Sequence, residues 1–535
     1  MLHLIRPEAL KKTEPLFWSP GIGTDVWDMF CAAGTGDLST IRRLLEKDPS
    51  LLRCQYEYLS PMYFAVRENQ LEVVHFFLGK GVNAQHAGGD DTLPDIARYR
   101  GYTDMYQLLS DNLAVRHNIS QKGEVIAAVI RGRDLEKVKV MLDSDPELLT
   151  AGDRQGNQPI HWAVMTREIT IIDELLARGA DINAKRPDGA HPIQLCNGDY
   201  SYRGWRDVPQ GHPFTPGNIL HHLRSKGAYV DMCTAAYIGD LHRVRELTAL
   251  DPTAPNTPVE YVTYYVCSGT PLRNAAAAGH MDIVVFLLEH GADPNLPEEG
   301  IAPRGHALYS AVYNHHYAVA KFLLEKGADP NCPVESSADA LSIALMNNDQ
   351  AMVELLCSYG AARSVELLAH YGDTRTAAAV FSINPSLAND AGALASAAEQ
   401  GNESFVTLML HHHPHLARSI GVAAKTPELT KFLFSQGMDP NKANWLRVTP
   451  LHRFAQRGDI TNAGLFITHG ADLYARDAEI NSTPLAWAAK YGRTSMVEFL
   501  LQQGVRQQLP DDPPWATPKA WAAYGGHTDI LRLLE

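Results

Sequence analysis

Gly269–Asn295 reads GTPLRNAAAAGHMDIVVFLLEHGADPN, and its punctuation dictates two short helices. The Thr270 hydroxyl caps the first, and Pro271 suits its opening turn, where the missing N–H would have had no partner anyway. Ala275 and Ala276 are small enough for that helix to sit close to a neighbour. Gly279 ends it by supplying a left-handed backbone conformation. The second helix, 281–289, carries Ile283, Val284, Phe286, Leu287 and Leu288, an apolar stripe too wide for an isolated surface helix. Gly291 terminates it. Neither helix buries its apolar face alone, so such units have to stack.

The unit recurs. A copy closing in Gly327-Ala328-Asp329-Pro330-Asn331 follows 36 residues later, and further closings are Gly179-Ala180-Asp181, Gly360-Ala361-Ala362, Gly437-Met438-Asp439 and Gly470-Ala471-Asp472. Openings return as Thr449-Pro450-Leu451-His452, Thr483-Pro484-Leu485-Ala486 and Thr517-Pro518-Lys519-Ala520. In less regular copies Asp48-Pro49, Asp145-Pro146 or Asn384-Pro385 replaces the Gly turn. The pattern resembles the ankyrin repeat. With that family's period of about 33 residues, about fifteen copies are traceable over nearly everything after residue 25. The resemblance implies an all-α solenoid of stacked helix-turn-helix units with finger loops. It specifies a fold and leaves function open, since one fold hosts many roles.

Composition agrees with a buried core. Of 535 residues, 45% are hydrophobic and 20% charged, which excludes a wholly disordered chain. Lys plus Arg number 47 against 61 Asp plus Glu, a net charge of −14 that argues against a general nucleic-acid binder. The seven cysteines include no Cys-x-x-Cys pair, so a reducing compartment is expected. The start, Met1–Pro7, lacks a basic region followed by an apolar run, and no stretch approaches a membrane span. A cytoplasmic protein is expected.

The rhythm breaks in the middle. After Pro192-Ile193-Gln194-Leu195 the first helix gives way to Asn197–Arg206, and the pattern resumes near Thr215-Pro216. A second insertion holds Val259–Val266, a β-branched and aromatic run that reads as an extended finger. Segment 110–122 breaks register and reads as a hinge. The expected organisation is an N-terminal extension 1–24, repeats over 25–115 and 116–196, an insertion 197–216, repeats 217–250, an extended finger 251–268 and repeats 269–535.

The resemblance also places variable, groove-facing positions just after the fourth residue of each opening motif and three residues further on. There stand Trp162 and Met165, Ser310 and Tyr313, Trp487 and Lys490, Trp521 and Tyr524. Aromatic and arginine side chains favour interface hot spots. Trp162, Tyr202, Trp205, His212, Tyr264, Tyr309 and Tyr313 fall in consecutive units beside both insertions, and with Trp487 and Trp521 they are the candidate binding residues. Among the histidines, His161 and His452 occupy the fourth motif position and are expected to be structural. His191 and His306 replace the opening Thr and His212 lies inside the first insertion; one of these near a carboxylate such as Asp199 or Asp207 would be placed to act as a general acid or base. His411-His412-His413 looks like a metal tract, yet adjacent helical residues point about 100° apart and do not converge on one ion.

No phosphate loop, nucleophile elbow or zinc helix is present in the sequence, so no catalytic residue, metal or cofactor is expected and an enzyme assignment is left uncertain. The expected function is a protein-protein interaction module holding a protein or peptide along the groove, with no nucleic-acid or membrane partner. The alternative is a small-molecule or glycan binder with an aromatic, histidine-lined pocket between the 197–216 and 251–268 insertions. The last unit closes at Leu533-Leu534-Glu535 without a polar capping helix, and the oligomeric state is left open.

Overall fold

The computed structural model describes residues 4–16, 19–85, 91–199, 201–259, 267–296, 306–332, 334 and 339–535. Within them the chain is all-α: pairs of short helices follow one another, and β-pairing is confined to isolated bridges such as Gly198 with Arg203.

The unit at 269–295 shows why. Helix Pro271–Ala278 opens on Thr270, whose side chain accepts from the Arg273 N–H, and closes on Gly279 at φ 78°. Ala275 and Ala276 are fully buried, so first helices of successive units pack close against one another. Helix Met281–Glu289 lies behind, burying Ile283, Val284 and Leu287. Part of the histidine surplus fastens unit to unit. The Nε2 of His280 meets the Tyr237 carbonyl at 3.0 Å, that of His316 the Ala277 carbonyl at 3.1 Å, and that of His527 the Lys490 carbonyl at 3.2 Å.

A second fastener is the asparagine that follows the Gly-Ala-Asp turn. Asn295 donates to the Gly327 carbonyl (2.9 Å) and accepts from the Asp329 N–H (2.7 Å), clamping the corresponding turn of the next unit. Asn331 and Asn441 make the same two-bond clamp, and so does Asn256, which follows an Asp-Pro turn instead. These bonds are exposed, so water replaces them in part. Asn295→Ala is therefore expected to cost about 1 kcal/mol, at the low end for two lost bonds, and to accelerate amide exchange at Asp329. Unchanged exchange there would show that the clamp adds nothing.

Contacts divide the chain into two units: 12–98 with 102–362, and 363–535 with Met1–Lys11 and Tyr99–Gly101. Segment 110–122 holds the end of the long helix Thr103–His117, its left-handed cap Asn118 and the start of helix Gln121–Arg131. In the second unit, the repeat at 420–437 keeps only its second helix, Pro427–Ser435. Its first half runs extended through Gly421, where a Cβ would come within 2.7 Å of the Lys442 Cβ.

Candidate functional site

The residue that links the two helices of a unit adopts the left-handed conformation, and most units place glycine there: Gly36, Gly239, Gly279, Gly372, Gly401, Gly458 and Gly492. Two successive units place arginine instead. Arg133 has φ 60° and Arg167 φ 63°, at a cost on the order of 1 kcal/mol each. Both reach the insertion that follows.

That insertion is braced rather than loose. Asp199, buried, accepts from the Ser201 and Tyr202 N–H groups at 2.9 and 2.8 Å, and its other oxygen takes a bond from Arg186 at 2.6 Å. Arg186 is itself buried and also donates to Asn157 (2.8 Å) and Asp188 (2.6 Å). The turn brings Tyr202 edge-on to Trp162, centroids 5.4 Å apart. The Tyr202 hydroxyl accepts from Arg133 (3.3 Å) and donates to the Asp207 carbonyl (3.2 Å). Gly204 starts a short helix, Gly204–Asp207, against Arg167: a Cβ there would sit 2.7 Å from the guanidinium and 3.0 Å from the Asn197 carbonyl oxygen, so glycine lets the guanidinium lie close. The same helix presents Trp205, 72% exposed.

The electrostatics are uneven. Arg133 lies 3.1 Å from Glu168, which also meets the His212 Nε2 at 3.2 Å. Arg206 pairs with Asp207 at 2.6 Å, and this bond holds the Asp207 carboxyl below the usual aspartate value. His212 thus meets Glu168, whereas Asp199 and Asp207 are engaged by arginines. Arg131 and Arg167 differ. Among the described residues, neither has a carboxylate within ion-pair distance. Arg131 is exposed, its guanidinium 4.7 Å above the Trp162 ring. Arg167 is partly buried, its Nε has no hydrogen-bond partner, and burial pulls its guanidinium below the ordinary arginine value.

The tryptophans anticipated in the groove are anchored in the fingers. Trp162 is buried, its indole N–H donating to Asp153 at 2.7 Å, and Trp487 makes the same bond to Asp477 at 2.9 Å. Trp521 donates to the Ser482 hydroxyl at 2.9 Å and packs on Tyr99, 4.7 Å between centroids. Tyr309 is buried and stacks on Tyr313, which is 50% exposed. Tyr264 and the rest of the 260–266 finger lie outside the described residues. His191 and His306 precede their helices as caps, and the His306 Nε2 is 3.1 Å from the Cys332 Sγ. Burial, followed by the charges of Asp329 and Asp293, pushes that thiol up to about 11, which keeps it protonated at neutral pH.

The His411–His413 tract ends helix Glu403–His412, with the His413 Nε2 3.0 Å from the Pro385 carbonyl. Among the described residues, no group of three His, Cys, Asp or Glu side chains is placed to hold a metal, and no helix is long and apolar enough to cross a membrane.

Comparison with known proteins decides the repeat type. A family model for ankyrin repeats in three copies matches residues 232–334 and 415–511, and a single-repeat model matches 155–186. These are ankyrin repeats. Ankyrin arrays serve as protein-interaction modules in general. A mouse palmitoyltransferase, ZDHHC13, is 24% identical over 206 residues, a match covering 32% of this ankyrin-repeat chain and 33% of that enzyme. The match spans about a third of that relative's length.

Proposed function

We propose that this chain is a protein-binding scaffold that grips a segment of its partner on the face where the first helices meet the 197–216 insertion. The observation that carries the reading is Trp205: a large aromatic left 72% exposed on a turn fixed by the buried Asp199–Arg186 pair. A rigid, exposed tryptophan offers contact area at small entropic cost. Tyr313, half exposed and stacked on Tyr309, is a second anchor in the same unit of the structure.

Trp205→Ala is expected to leave stability within about 0.5 kcal/mol of wild type, as for other exposed sites. It should weaken partner binding by about 2 kcal/mol, roughly 30-fold. Calorimetric titration of a partner recovered by affinity capture, with thermal unfolding as the control, checks both. Equal affinity of wild type, Trp205→Ala and Tyr313→Ala would remove this face from the reading.

A further inference from the structure

Resting on that reading, we propose that Arg131, Arg167 and Trp205 form a subsite for an acidic peptide segment of the partner, with side-chain carboxylates on the two guanidinium groups and a neighbouring apolar side chain on the Trp205 ring.

Charge complementarity selects this occupant. The chain carries 61 acidic residues against 47 basic ones, so a cation here has many potential carboxylate partners. The neighbouring arginines use them: Arg133 with Glu168, Arg186 with Asp188 and Asp199, Arg206 with Asp207. Arg131 and Arg167 stand apart, and both are held in place. Arg131 is stacked on Trp162. Arg167 occupies the left-handed position that most units give to glycine and others to Asn69, His315 or Asn348, with Gly204 close against its guanidinium. A guanidinium presents a planar fork of donors that matches a carboxylate in two-bond geometry. Strain at a backbone position, together with a buried donor lacking a partner, persists where the group is used. A polyanionic nucleic-acid backbone would have to run past Glu168, Asp188 and Asp207 as well, whereas a short peptide needs to match only the local pattern.

Selection of a random peptide display library on the full-length chain, with counter-selection on Trp205→Ala, isolates peptides that use this face. Retained peptides are expected to pair Asp or Glu with an aromatic or aliphatic residue. Their affinities, read by fluorescence anisotropy of the labelled synthetic peptides, should fall about tenfold on Arg131→Gln and on Arg167→Gly. Replacing their Glu with Gln should abolish the sensitivity to both variants.

Arg167→Gly separates function from structure, because glycine relieves the left-handed strain. The variant is expected to melt at or above the wild-type temperature while binding the peptides more weakly. Retained peptides without acidic residues, indifferent to both arginine variants, would overturn the acidic subsite and leave the interaction face intact. A library yielding no peptide that distinguishes Trp205→Ala from wild type would remove the face and the subsite together. Preference for a single-stranded RNA oligomer over the acidic peptides would also overturn the proposal.

Discussion

Replacing Arg186 with methionine is expected to destabilise its unit by about 3–5 kcal/mol and to release the 197–216 insertion from the array. Arg186 and Asp199 are both more than nine-tenths buried, so removing the cation strands a carboxylate where water reaches it poorly. Asp188, the other carboxylate partner, is better exposed and recovers hydration, whereas the buried Asn157 loses a donor as well. The stranded Asp199 also holds the Ser201 and Tyr202 amides, so the turn that carries Tyr202 and Trp205 loosens with it. Hydrogen exchange across 197–212 should rise far more than exchange in the helix pair Pro271–Ala278 and Met281–Glu289. The control is Arg186→Met with Asp199→Asn. Asparagine keeps the acceptor for the turn amides and removes the buried charge, so the double variant should be more stable than Arg186→Met alone. A loss under about 1 kcal/mol for the single variant would mean that the pair is effectively solvated.

The sequence made the helix pairs legible because their signals are local. Thr-Pro openings, small residues on first helices and Gly-Ala-Asp closings each act within a few residues. What it concealed depends on contacts between elements. Trp162 and Trp487 stand at positions that the family resemblance marks as groove-facing, yet each indole is captured by a finger aspartate nine or ten residues earlier, Asp153 and Asp477. Periodicity carries no trace of that bond, although an aspartate at that distance before a motif tryptophan is a spacing that a search would find. Arg133 and Arg167 escaped notice for a different reason. Their signal is a substitution at the glycine position of the repeat, visible only when the units are aligned to one another. The insertion residues Tyr202, Trp205 and His212 were legible as a cluster. Which of them would be buried, and that His212 would meet Glu168 rather than Asp199 or Asp207, followed only from the Asp199–Arg186 brace.

Acidification from pH 7 to 5 is expected to destabilise the chain through two motif histidines. The Nδ1 of His161 accepts from the Gln158 N–H at 3.0 Å, which leaves Nε2 to donate to the Ala184 carbonyl at 3.0 Å. Protonation of Nδ1 would break the first bond and place a charge at a fully buried site. Burial, reinforced by the nearby charge of Arg186, pulls His161 from 6.5 down to about 3. His452 is arranged alike, between the Thr449 N–H and the Ser482 carbonyl, and burial lowers it too, against the opposing charge of Asp477.

The folded chain therefore refuses protons that the unfolded chain accepts below pH 6.5. Stability is complete above that value and falls as the pH drops, for His161 by about 1.4 kcal/mol per unit. For His161 the window runs from 6.5 to about 3, a loss of about 2 kcal/mol by pH 5. Asp145 and Asp207, held low by Lys122 and Arg206, act in the same direction, but their ordinary value is 3.8, so they contribute only at lower pH. In the interval from 6.5 to 5, His117, which burial also lowers, adds to the two motif histidines, while Glu399, which burial raises from 4.5, opposes them toward pH 5. His161→Asn should lose about 1–2 kcal/mol at pH 7 from weakened hydrogen bonds, yet its stability should decline less steeply on acidification. The two urea-unfolding profiles should converge near pH 5, and parallel profiles would show that His161 does not titrate in the way its burial demands.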